Sequence, residues 1–179
     1  MEWKKYSGPL VIIGGIVVAD RMTKIWAVDT LQGLPSRSYL GDTIRILYAE
    51  NVGAFLSLGA ELPETARFWL LAIIPILALG YFAYFLLFQE GTGSWQRTAF
   101  AFIIAGGGSN IVDRLREGKV VDFLNVGIGD LRSGIFNLAD MAIMTGLFLL
   151  LPSLFKSRKN PESEVPAMAE KEENSETPG

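Results

Sequence analysis

Asp140 stands near the start of an otherwise uncharged apolar run, Ile135–Phe155, three residues after Asn137. An acid inside such a run is costly to bury and by default marks a functional site. Asp122 lies in the segment VVDFLNV, preceded by the basic residues Arg116 and Lys119. Alone, it reads as an ordinary loop acid. Two carboxylates brought within hydrogen-bond reach cannot both ionise easily, so they share a proton and titrate as a pair. The ionised member can then draw a proton from water while the protonated member polarises a carbonyl. The chain contains no Cys and no His, which excludes thiol nucleophiles, disulfides, imidazole bases and the commonest zinc sites. The paired-acid chemistry needs none of these, and neither metal nor cofactor is expected.

Three further polar groups interrupt apolar surroundings. Asp20 and Lys24 are four residues apart and share a helix face; the simple reading is an ion pair with Lys24 reaching out to the membrane surface. The functional reading is a pair that shapes the site or holds the first loop. Asn110, Asp113 and Arg114 cluster over one helical turn. They either end that helix and tie down the next loop, or belong to the site. The glycines at 106–108 just before them allow close helix approach.

Positioning these groups falls to a set of apolar spans. Half of the 179 residues are hydrophobic and a fifth are charged, which points to a membrane protein. A helix needs about 20 apolar residues to cross the hydrocarbon core. Phe68–Phe88 supplies an uncharged run of that length, and Ile135–Phe155 matches it apart from Asn137 and Asp140. Gly8–Val28 and Trp95–Val112 are less pure, ending in Asp20, Arg21 and Lys24 and in GGGSN respectively. The expected fold is therefore an α-helical integral membrane protein with four transmembrane helices. Antiparallel spans bring Asp20, Asp113 and Asp140 toward one face, with Trp3 and Trp95 at one interface and Trp26 and Trp69 at the other. Basic residues flanking the first and last spans favour cytoplasmic termini. The connection from Asp29 to Thr65 contains GDTIRILYAENVGAF, which predicts a small extracytoplasmic β element between helices 1 and 2. Residues 1–159 form the membrane domain. Residues 160–179 hold six Glu and one Lys with no aromatic residue, and are expected to be a disordered acidic tail.

Five ordered segments carry a resemblance: DRMTK (Asp20–Lys24), NVGAFLS (Asn51–Ser57), GGGSNIVDR (Gly106–Arg114), VVDF (Val120–Phe123) and FNLAD (Phe136–Asp140). Together they resemble the lipoprotein signal peptidases (signal peptidase II) of bacteria, from about Gly8 to Phe155. The resemblance implies Asp122 and Asp140 as the catalytic acids of an aspartic endopeptidase. It implies Asp20, Lys24, Asn51, Asn110, Asp113, Arg114 and Asn137 as substrate-binding or site-supporting residues. It further implies a diacylglyceryl-modified prolipoprotein substrate cut on the N-terminal side of the lipidated Cys, membrane lipid as a partner and globomycin as an inhibitor. The corresponding location is the bacterial inner membrane, with the active site toward the extracytoplasmic face. Two positions depart from the family pattern: Ser109 stands where Gly is usual before the helix 3 Asn, and GAFLS replaces GAAFS.

Other classes make different demands. A small proton- or ion-coupled transporter would use Asp20, Lys24, Asp113 and Asp140 as a relay distributed across the bilayer, whereas these acids gather at one leaflet. A non-catalytic scaffold glued by buried polar groups explains the Asn and Gly residues but not an apolar-flanked Asp122. A serine peptidase using Ser57 or Ser109 with Lys24 lacks a spacing relation between nucleophile and base. GGGSN lacks the Lys and flanking strand of a phosphate-binding loop, and no nucleic-acid partner is expected.

Overall fold

The computed structural model describes residues 4–53, 61–63, 65–66, 69–89 and 91–156. Four long helices and a four-stranded antiparallel sheet account for most of them. Helix α1 spans Lys4–Leu31. Helix α2 opens with a π turn over Trp69–Ile73 and continues as α-helix to Phe88. Pro75, which has no N–H to donate, stands two residues past the end of that π turn. Helix α3 spans Ser94–Glu117, and α4 spans Leu138–Lys156. At the end of α3, Gly118 adopts φ +71° and its N–H closes the last turn on the Arg114 carbonyl.

Strands β1 (Arg37–Tyr39) and β2 (Ile44–Asn51) arise between α1 and α2, where a β element was expected. Strands β3 (Val120–Ile128) and β4 (Leu131–Arg132) arise between α3 and α4. The sheet order is β1-β2-β3-β4, so the two connections join as one sheet. This corrects the expected β element, which was confined to the first connection, and the loop reading of Asp122, which lies on β3. The nine-residue run VVDFLNVGI is rich in β-branched and aromatic residues and finds its partner far away in sequence on β2. The loop segment from Ala54 to Ser57, including the GAFLS departure, and the 160–179 tail lie outside the described residues.

The exposure pattern is inverted relative to a water-soluble protein. Leu77 is 68% exposed and Phe148 63%, whereas Asp20 and Asn137 are 0% exposed. Apolar side chains facing outward around buried polar groups fit a lipid environment. Among the described residues, Trp69–Phe88 is long and apolar enough to cross a bilayer by composition, with a mean hydropathy of 2.4; Leu138–Ser153 is apolar but shorter. Helices α1 and α3 carry the inward-facing Asp20, Lys24 and Asp113.

Helices α3 and α4 approach most closely through small residues. A Cβ on Gly106 would meet the Ala139 carbonyl, and one on Gly146 would meet the Ala99 carbonyl and Ile103. The end of α1 packs on the sheet, where Ala27 and Leu31 cluster with Val121 and Phe123. Trp26 meets Phe123 edge to face at 6.1 Å.

Candidate active site

Alternation along β3 decides where Asp122 points. Val121 and Phe123 turn toward α1, so Asp122 takes the opposite side, opposite Ala49 in the register. It is 2% exposed. Its Oδ2 accepts a hydrogen bond from Asn51 Nδ2 at 2.8 Å, and its Oδ1 one from Asn137 Nδ2 at 2.7 Å.

Asp140 sits in the first turn of α4, with Asn137 immediately preceding the helix as its cap. Asn137 Oδ1 accepts the Asp140 N–H at 2.9 Å, and Asp140 Oδ2 accepts the Asn137 N–H at 3.1 Å. This reciprocal pair satisfies two backbone donors that the helix start leaves open, and so explains the Asn-x-x-Asp spacing locally. Asn137 thereby touches both acids, its side-chain amide on Asp122 and its backbone amide on Asp140.

Asn110, buried on α3, joins this pair to a charged cluster. Its Nδ2 donates to Asp140 Oδ1 at 2.8 Å, while its Oδ1 accepts from Asn137 Nδ2 at 3.2 Å and from Lys24 Nζ at 2.9 Å. Lys24 also lies 2.7 Å from Asp20 Oδ2 and 2.6 Å from Asp113 Oδ2. Lys24 is thus a buried cation pointing inward, in place of the outward-reaching side chain of the simple reading. Asp20 Oδ1 accepts the Ala139 N–H at 2.9 Å, in the first turn of α4. Arg114 donates from Nη2 to the Gly53 carbonyl at 2.9 Å and ties α3 to the chain after β2. Its Nε is buried with no acceptor among the described residues. All nine site residues expected from the sequence therefore converge on one hydrogen-bonded cluster drawn from α1, β2, α3, β3 and the start of α4.

Electrostatics within this cluster oppose full ionisation. Burial pushes the Asp122 carboxyl up to about 6, the neighbouring Asp140 adds to the rise, and hydrogen bonds from Asn51 and Asn137 hold it back. Two cavities flank the pair. One of about 250 Å³ is lined by Asn51, Asp122, Ser133 and Ile135 among others. The other, about 260 Å³ and apolar, is lined by Ser133, Phe136, Asp140, Met141 and Met144.

Two features escaped the sequence reading. Ser109 Oγ donates to Asp20 Oδ2 at 2.5 Å, a bond suggested only by its place beside Asn110. Arg132 reaches from β4 to the Asp42 carbonyl at 2.8 Å, and Asp42 also pairs with Arg45. No local spacing signals that clamp, because its partners are 90 residues apart.

The family model described as signal peptidase (SPase) II matches residues 12–156. A lipoprotein signal peptidase of Psychromonas ingrahamii is 32% identical over 147 residues, covering 82% of this chain and 84% of that protein. One of Streptococcus pyogenes serotype M1 is 30% identical over 141 residues, covering 79% and 88%. A solved structure described as a bacterial membrane enzyme, obtained by the in meso method at 2.3 Å resolution, superimposes with a TM-score of 0.72. It is 26% identical and is matched over 88% of this chain and 93% of its own.

Proposed function

The chain belongs to the signal peptidase II family, and from that premise we propose that Asp122 and Asp140 are the catalytic acids with which it cleaves its substrate. It is a bacterial membrane peptidase that removes signal peptides from prolipoproteins. The transporter reading has no support from these relatives. The observation that carries the proposal is the sharing of Asn137, whose two amide groups hold the two acids in fixed relation.

In the proposed mechanism an ionised acid takes a proton from a water held between the pair, and the protonated acid polarises the scissile carbonyl. The resulting tetrahedral species collapses as the leaving amine receives a proton, with no covalent enzyme intermediate. Asn51, Asn110 and Asn137 orient the acids. Lys24, Asp20 and Asp113 hold Asn110 and α4 in place. Arg114 holds the chain after β2 against α3 through the Gly53 carbonyl. The apolar cavity beside Asp140 suits part of the lipid of a diacylglyceryl-Cys, whose remaining acyl length would lie in the bilayer, and the family resemblance puts the cut on the N-terminal side of that residue. Globomycin would compete there.

The outward-facing apolar side chains support a membrane placement. Within it the proposed topology is four spans through residues 1–159 in the inner membrane, the basic residues flanking the first and last spans favouring cytoplasmic termini and hence acids near the extracytoplasmic face.

The direct test incubates purified protein with a lipidated precursor. Asp122→Asn and Asp140→Asn should each lower turnover by several orders of magnitude, and the double variant should be scarcely worse than either single one. Additive losses would assign the acids independent roles, and near-normal cleavage by either single variant would remove that acid from the mechanism.

A further inference from the structure

Ser109 is the residue of the polar cluster to which neither the chemistry nor the relatives assign a role. It lies on α3 beside Asn110, part-buried, and its hydroxyl donates to Asp20 Oδ2. Asp20 is wholly buried and meets three elements at once: Lys24 on its own helix, Ser109 on α3 and the Ala139 N–H of α4. Two buried carboxylates, Asp20 and Asp113, thus share the ammonium of Lys24, and Asp113 also has the Arg21 guanidinium at 3.6 Å. A buried carboxylate left short of donors is costly. The Ser109 hydroxyl supplies the missing donor without adding charge.

We propose that Ser109 is a positioning residue for the reaction, holding the Asp20 carboxylate so that Lys24 and the first turn of α4 keep Asn110 and Asp140 in place. This rests on the reading of Asp122 and Asp140 as the reacting pair. Without the hydroxyl, Asp20 Oδ2 keeps Lys24 as its remaining donor and draws the ammonium from Asn110 Oδ1. Asn110 is the residue whose Nδ2 holds Asp140 Oδ1. The same loss loosens Asp20 against the Ala139 N–H, one residue before Asp140. Both routes end on the orientation of Asp140, and neither Ser109 nor Asp20 lines the cavities that flank the acids, so the effect belongs in kcat more than in KM.

Ser109→Ala removes the hydroxyl at nearly constant volume, whereas Ser109→Thr retains it. With a lipidated precursor, Ser109→Ala should lower kcat about tenfold while KM stays within about twofold, and Ser109→Thr should restore most of kcat. Should Ser109→Ala not fold, Ser109→Cys, of similar shape but with a much weaker donor, carries the same expectation. A parental kcat in the hydroxyl-free variant overturns the proposal, as does an equal loss in the Thr and Ala variants. Asp140→Asn, assayed in parallel, separates the two claims: its inactivity beside a fully active Ser109→Ala sinks only the Ser109 role, while its activity sinks the assignment of the acids.

Discussion

Asp122 accepts two amide hydrogen bonds, and burial nevertheless keeps its carboxyl at about 6, above its ordinary value of 3.8. The folded chain therefore holds more protons than the unfolded chain between those values. Stability contributed through this group is full below the ordinary value and is lost as pH rises through about 6. Glu50 and Asp42, held below their ordinary values of 4.5 and 3.8 chiefly by hydrogen bonds from Lys119 and Arg45, contribute stability that is present above those values and lost as pH falls below them. The expected outcome is that detergent-solubilised protein gains up to about 3 kcal/mol through Asp122 on acidification from neutral pH toward pH 4. Unfolding midpoints measured for the parent and for Asp122→Asn check this. If the difference between them does not vary with pH, the carboxyl is not perturbed.

At the scale of elements, the site depends on how closely α3 and α4 approach. Gly106 permits that approach beside the turn bearing Asp140, since a Cβ there would meet the Ala139 carbonyl and, at 3.0 Å, Ile143. Backbone cannot give way as a flexible side chain does, so the first turn of α4 has to shift. Gly106→Ala should cost about 1–3 kcal/mol of stability, and misplacement of Asp140 should lower turnover about a hundredfold. Gly108→Ala is the control, because nothing lies within 4 Å of its Cβ position. Thermal unfolding and precursor cleavage distinguish the two variants. Equal behaviour would mean that the α3–α4 contact does not set the acid's position.

At the scale of the molecule, the sheet joins two connections, and its β1–β2 and β3–β4 turns lie at the same end, with Gly127 N–H bonded to the Thr43 carbonyl at 2.9 Å. Leu40 and Asp130 are exposed in these turns. With cytoplasmic termini and four spans, cysteines placed at 40 and 130 should both react with an impermeant reagent added outside the cell. Reaction only after permeabilisation would reverse the proposed orientation. The six Glu of residues 160–179 lie beyond the last span, so a chain ending at 159 should retain turnover within about twofold. A tenfold loss would give the tail a role.

The sequence by itself determined the membrane class and the chemical repertoire, because apolar run length and the absence of His and Cys are properties of composition that no folding can alter. It also marked Asp140, since an acid in an apolar run is conspicuous wherever that run goes. The role of Asn137 was half legible: its spacing to Asp140 is a local capping pattern, but its bond to Asp122 is not. Only the tertiary structure decided that Asp122 lies on a strand, that Lys24 points inward and that Ser109 meets Asp20. β pairing and buried charge compensation join residues 70 to 90 positions apart. The energies that fix those partners arise from burial and register after the chain has folded, and so leave no periodic trace in the sequence.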